Sequence, residues 1–213
     1  MTRALCLGFG LLFSPLHAAS WTDYFEFETL PSPAGIDPQV GAMDVLEDGK
    51  LAVAFHRGEV MIYDPAAKSW SLFANGLQEP LGMLAEPNGD LLVMQRAELT
   101  RLKDMDKDGK ADRYETVYDG FGMTGNYHEF AYGPAKDKDG NLFIALGAGS
   151  NGAPIRPEIR GEFSEIGQAN FQQMADGKNW KENSKLAGRM YSRVPYRGWV
   201  IKLSPDGKTA EPW

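Results

Sequence analysis

Asp104-Met105-Asp106-Lys107-Asp108-Gly109-Lys110-Ala111-Asp112-Arg113-Tyr114-Glu115 carries the densest chemistry in the chain. Counted from Asp104, carboxylates fall at positions 1, 3, 5, 9 and 12 with glycine at 6, the spacing by which a twelve-residue loop wraps one hard cation. In that reading Asp104, Asp106 and Asp108 supply side-chain oxygens, Lys110 its carbonyl, Asp112 a water-mediated contact and Glu115 both carboxylate oxygens. The expected ion is calcium, held as a structural staple. The competing reading is a solvated acidic turn. The second candidate is His128, in Gly125-Asn126-Tyr127-His128-Glu129-Phe130. An imidazole with an ordinary pKa near 6.5 can take a proton at neutral pH, so His128 is a candidate general base. A hydrogen-bonded loop histidine is the plainer alternative. His56, next to Arg57-Gly58, reads as a polar turn residue.

The elements that must position these groups repeat. Glu47-Asp48-Gly49-Lys50-Leu51-Ala52-Val53, Pro87-Asn88-Gly89-Asp90-Leu91-Leu92-Val93 and Lys138-Asp139-Gly140-Asn141-Leu142-Phe143-Ile144 share one template, a turn followed by an apolar strand. Apolar strands precede each turn and follow each unit, and the template recurs every 40 to 50 residues or so. That is the pattern of four-stranded β-propeller blades. The expected fold is all-β, a partial propeller of about three blades belonging to a larger, six-bladed ring. The blades are expected at about 36–78, 79–122 and 123–213, the last cut short at its outer strand. Phe25 and Phe27 alternating with Glu26 and Glu28 predict one further strand over Tyr24–Leu30. About 50 extra residues, 147–197, interrupt the third blade, with a short amphipathic helix expected around Phe163 to Met174. Loops of that length tend to be functional, with a surface excursion as the alternative. In a propeller, the entry to an inner strand lies at the mouth of the central channel, and His128 occupies that place.

Composition narrows the classes. The 213 residues are 43% hydrophobic and carry a net charge of −7, from 22 Lys and Arg against 29 Asp and Glu. This acidic balance argues against nucleic acid as a partner, and no stretch reaches the length of a membrane span. Residues 1–19 are built as a signal peptide, with Arg3, an apolar run from Ala4 to Phe13, and small residues at Ala18 and Ala19. The expected destination is periplasmic or extracellular. Cleavage would remove Cys6, the only thiol, leaving no disulfide or cysteine-based metal site.

The segment from His128 to Ala145, with Gly133-Pro134 and Asp139-Gly140-Asn141-Leu142-Phe143-Ile144, resembles the glucose/sorbosone dehydrogenase family of β-propellers. Gly35-Ile36-Asp37-Pro38-Gln39-Val40, Asp64-Pro65, Glu79-Pro80-Leu81-Gly82, Gln95-Arg96-Ala97-Glu98-Leu99-Thr100 and Arg197-Gly198-Trp199 through Pro205-Asp206-Gly207 are similar to the propeller module of secreted bacterial membrane-bound dehydrogenase-like, haem-binding proteins. The resemblance implies oxidation of a sugar or related alcohol with pyrroloquinoline quinone (PQQ), His128 taking the hydroxyl proton. It also implies a cytochrome c-type domain downstream, outside this chain. The sequence departs from the family around Ala135-Lys136-Asp137-Lys138, and the family's quinone-contacting segment would fall beyond Trp213. This piece alone is therefore expected to be inactive. The alternative function is a non-catalytic, calcium-stabilised propeller that binds carbohydrate or protein.

Overall fold

Alternating apolar strands need partners on both edges and cover on both faces, and the chain meets that need with three four-stranded antiparallel sheets. The computed structural model describes residues 20–125, 127–150, 158–160, 190–191 and 196–213. Two units are distinguished, Met1–Pro31 and Ser32–Trp213. In the first, Ser20 caps a short 3-10 turn, Trp21–Asp23, and the Trp21 ring meets Phe27 edge-on at 4.7 Å. The strand expected over Tyr24–Leu30 does not form. Alternation alone does not make a strand, and Phe25 and Phe27 stay 69% and 78% exposed.

In the second unit the first sheet holds β1 (Val40–Val45), β2 (Leu51–Phe55), β3 (Val60–Asp64) and β4 (Ser69–Ala74), paired in that order. The second holds β5 (Gly82–Ala85), β6 (Leu91–Met94), β7 (Leu99–Lys103) and β8 (Arg113–Tyr118). A short β9 (Met123–Thr124) precedes β10 (Ala131–Lys136) and β11 (Leu142–Leu146). Within the insertion lie β12 (Gly149–Ser150), β13 (Glu158–Arg160) and β14 (Met190–Tyr191), followed by β15 (Val200–Leu203) and β16 (Ala210–Pro212). The third sheet is β10-β11-β15-β16, so its outer strand is present, though short, where the sequence suggested it had barely begun. The helix expected around Phe163 to Met174 lies outside the described residues. Among those described, no helix is long and apolar enough to cross a membrane.

An Asp/Asn-Gly turn of one design joins the first two strands of each sheet. In the first, the Gly49 N–H donates to the Leu46 carbonyl at 2.9 Å, the Leu46 N–H to the Lys50 carbonyl at 2.8 Å, and Asp48 Oδ1 accepts from the Lys50 N–H. Only the glycine takes a positive φ, 82° here, 90° at Gly89 and 86° at Gly140. These are therefore three-residue loops ending in a left-handed glycine, not two-residue hairpins. The turn before β16 is one residue longer, closed by the Ser204 N–H on the Thr209 carbonyl, and again uses a left-handed glycine, Gly207. The Ser204 hydroxyl, with Lys208, holds the Asp206 carboxyl down at about 2. The stability this contributes is present above the ordinary value of 3.8 and is lost as pH falls toward 2.

The sheets stack side by side as propeller blades. Ala52, Ala54, Val60 and Phe73 of the first pack on Met83, Leu91, Val93 and Leu102 of the second. Leu92, Met94 and Leu99 of the second pack on Leu142, Ile144, Ile201 and Leu203 of the third. The inner strands β1, β5 and β10 run alongside one another in the same sense. Gly41 faces the Pro80 carbonyl and Gly82 faces Gly133 so closely that no side chain fits at either glycine. Asp44 accepts from the Ala85 N–H at 2.7 Å, and Glu86 reaches Arg101 and Lys136, tying all three inner strands together.

Candidate functional site

Strand alternation places the β2–β3, β6–β7, β8–β10 and β11–β15 connections on one face and the β7–β8 connection on the opposite one. His128 and the aspartate-rich loop therefore occupy different ends of the blades.

On the first face, the β6–β7 turn is set by a chain of hydrogen bonds. Gln95 Oε1 accepts from the Gln78 N–H at 2.7 Å, and Gln95 Nε2 donates to Thr100 Oγ1 at 2.6 Å. The Thr100 hydroxyl donates to Glu98 Oε1, whose other oxygen accepts from Thr116. This fixes Arg96, whose Nη1 donates to Glu79 Oε2 at 2.9 Å. Glu79 Oε1 lies 3.8 Å from His56 Nε2, and the His56 ring meets Phe130 at 6.4 Å with the Arg96 guanidinium 6.0 Å from the same ring. Glu79 sits at φ 46°, a left-handed backbone held in place by these contacts. His56 is thus more than a turn residue. Its carboxylate partner lies on a different connection, so no sequence spacing announces the pair.

His128 lies just before β10, half-buried, its ring 3.8 Å from that of Tyr127. Its carbonyl accepts from the Phe130 N–H at 2.9 Å. Beneath it Glu129 and Arg197 are 1% and 3% exposed, with the guanidinium Nε 3.9 Å from the carboxylate. Burial pulls the pKa of Arg197 down to about 10, opposed by the nearby Glu129 charge, so it remains a cation at neutral pH. No spacing in the sequence announces that these two residues pair.

On the other face, Asp104, Asp106 and Asp108 converge, their nearest ligand atoms within 4.8 Å of one another. Asp104 Oδ2 accepts from the Gly109 N–H at 2.9 Å, and Asp112 Oδ2 closes the loop by accepting from Met105 at 2.7 Å. Glu115 is not brought to this group. A helix after the loop would carry the twelfth position back at 1.5 Å per residue, but here the chain enters β8 and advances about 3.3 Å per residue. Glu115 instead pairs with Lys103 and Arg113, each at 2.8 Å, and the Lys103 ammonium holds its carboxyl below the usual range. The loop leans on the first blade, the Ala111 N–H donating to the Phe73 carbonyl at 2.7 Å. Asp104, Lys107 and Gly109 line a groove of about 440 Å³ shared with Asp48, Asp64 and Phe73.

Three four-stranded antiparallel blades, stacked side by side, define the class of protein as a partial β-propeller. Residues 63–194 match the model of a family described as "Domain of unknown function (DUF7133)", and the chain belongs to that family. No curated protein matches it. Among solved structures, it is similar to one from Thermus thermophilus described as an oxidoreductase (glucose dehydrogenase), at 17% identity and TM-score 0.48, covering 84% of this chain and 48% of that one. A protein assigned as a gluconolactonase matches at 15% and 0.46, covering 84% and 52%. PorZ of Porphyromonas gingivalis, a surface component of the type-IX secretion system, matches at 15% and 0.42, covering 89% and 29%. The chain spans about half the length of the first two. At these identities no residue role passes from them to this chain.

Proposed function

We propose that this chain is part of an exported sugar or alcohol oxidoreductase-like propeller whose working face carries His128, with the aspartate loop as a calcium staple on the far face. The observation that supports the first half is the position of His128 at the entry to β10, two residues before Phe130, whose ring meets His56 and the Arg96 guanidinium held by Glu79. Planar polar groups around an aromatic ring suit a polyhydroxylated substrate, and an imidazole there can take a hydroxyl proton.

The quinone is a poorer fit to the described residues. PQQ carries three carboxylates, whereas Arg96 faces Glu79, Arg197 faces Glu129 and Arg160 faces Asp119. The mouth as described offers it matched charges, so its binding cations must come from elsewhere in the whole protein, and no step is routed through it here. Export rests on the leader-like residues 1–19, and the cytochrome c-type partner rests on the family resemblance alone.

The test of the site is dye-linked oxidation of a panel of sugars and alcohols by the whole protein supplied with PQQ. His128→Ala is expected to lower kcat on the order of 100-fold or more. Unchanged turnover removes His128 from the chemistry.

For the staple, calcium would take Asp104, Asp106 and Asp108, with Asp112 shaping the loop and Glu115 outside the shell. Because the loop rests on the first blade at Phe73, the ion would brace two blades at once. Calcium at 100 times its Kd is expected to stabilise the fold by about 2.7 kcal/mol. Calorimetry and melting with and without chelator measure this, and the Asp104→Asn/Asp106→Asn double variant should lose both signals. No heat and no chelator effect would leave a solvated acidic turn.

A further inference from the structure

Two arginines of the interrupting segment, Arg160 and Arg197, reach the backbone around the start of β10. Arg160, on β13, donates from Nε to the Phe121 carbonyl at 2.9 Å and from Nη2 to the Ala97 carbonyl at 2.5 Å. Arg197 donates from Nε to the Gly122 carbonyl at 2.8 Å, and from Nη1 to the carbonyls of Glu129 and Phe130 at 2.9 and 3.0 Å. Its Nη2 lies 3.5 Å from the Arg96 carbonyl. Both guanidiniums lie over the Phe121 ring, at 4.9 and 5.1 Å from its centroid. The same insertion adds β13 to β9, which immediately precedes the His128 segment.

These carbonyls belong to two pieces of chain only. One is the β6–β7 turn that carries Arg96, and the other is the β8–β10 connection on either side of His128. A guanidinium is a planar fork with five donors, suited to bridging carbonyls from separate segments, whereas an ammonium acts as a point charge. We infer that Arg160 and Arg197 are positioning residues for His128, clamping the backbone on either side of it against the second blade's turn. The inference rests on the reading of His128 as the proton acceptor, and it gives the insertion a role in the site. A surface excursion would not need two arginines converging on one phenylalanine and on the backbone flanking the candidate base.

The test compares the full chain with its Arg160→Lys and Arg197→Lys variants by amide hydrogen exchange and by the NMR signals of the His128 ring. Arg160→Lys leaves the buried Arg197 in place and carries the test if Arg197→Lys does not fold. In Arg160→Lys, exchange at Gly122–Phe130 is expected to quicken on the order of tenfold, with the His128 ring signals displaced, while amides of β6 and β11 stay within about twofold of the parent. Arg197→Lys, whose buried guanidinium also supports the fold, is read by the excess loss of protection at Gly122–Phe130 over that in β6 and β11. Unchanged amides and ring signals at this segment would overturn the inference. So would a loss of protection in Arg160→Lys spread equally through β6 and β11. In the whole protein, the variants should lower kcat with little change in KM. If His128→Ala leaves turnover intact while the exchange and ring changes are present, the proton-acceptor reading fails and the clamp on this segment stands.

Discussion

Gly82→Ala is expected to destabilise the fold by about 3 to 5 kcal/mol, a shift of about 10 °C in melting temperature for a chain of this size. A methyl group at Gly82 would lie 1.5 Å from the Gly133 carbonyl oxygen and 2.5 Å from its carbon. Neither atom can swing aside, because both belong to the backbone of β10, itself locked between β5 and β11. Relief would require prising the second and third blades apart along the seam formed by Leu92, Met94, Ile144 and Ile201. Gly49→Ala provides the contrast. Nothing lies within 4 Å of its Cβ position, so its cost is confined to a left-handed backbone, about 1 kcal/mol. Urea denaturation of the two variants measures the difference, and equal midpoints would refute the close approach of the inner strands.

Arg197→Met should cost a similar amount, about 3 to 5 kcal/mol. The substitution removes a buried cation 3.9 Å from a carboxylate that is 1% exposed, and it strips hydrogen bonds from the carbonyls of Gly122, Glu129 and Phe130. Packing alone is not the reason for the loss, since methionine is apolar and reaches nearly as far. Adding Glu129→Gln should recover part of the stability by removing the buried charge. A double-mutant cycle followed by urea denaturation gives the coupling. Additive effects would show that the carbonyl contacts, and not the charge pair, hold the segment.

What could be read from sequence was local in character. The Asp-Gly and Asn-Gly turns locate all three sheets because a left-handed glycine and a short polar side chain encode a turn within five residues. The convergence of Asp104, Asp106 and Asp108 is legible for the same reason. Glu115 escapes the loop spacing because position 12 depends on the element into which the loop runs, and the strand pairing of Arg101 with Glu115 overrides that spacing. Tyr24–Leu30 has strand periodicity without a partner strand among the described residues. The mouth was the least legible part. His56 and Glu79, or Arg197 and the Gly122 carbonyl, are far apart in the chain and meet only because adjacent blades bring their connections to one face. Arg160 carries no motif and Arg197 only a stretch of the family resemblance, and what marks both is the set of carbonyls they reach.

If His128 marks the working face, as proposed, a ligand meets that face and not the aspartate face. Amide and ring chemical-shift mapping during titration with glucose and related polyols tests it most directly. Perturbations are expected at Gln95–Glu98 and Phe121–Phe130, together with the His56 ring. Shifts confined to Asp104–Asp112, or no shifts anywhere across the series, would contradict it.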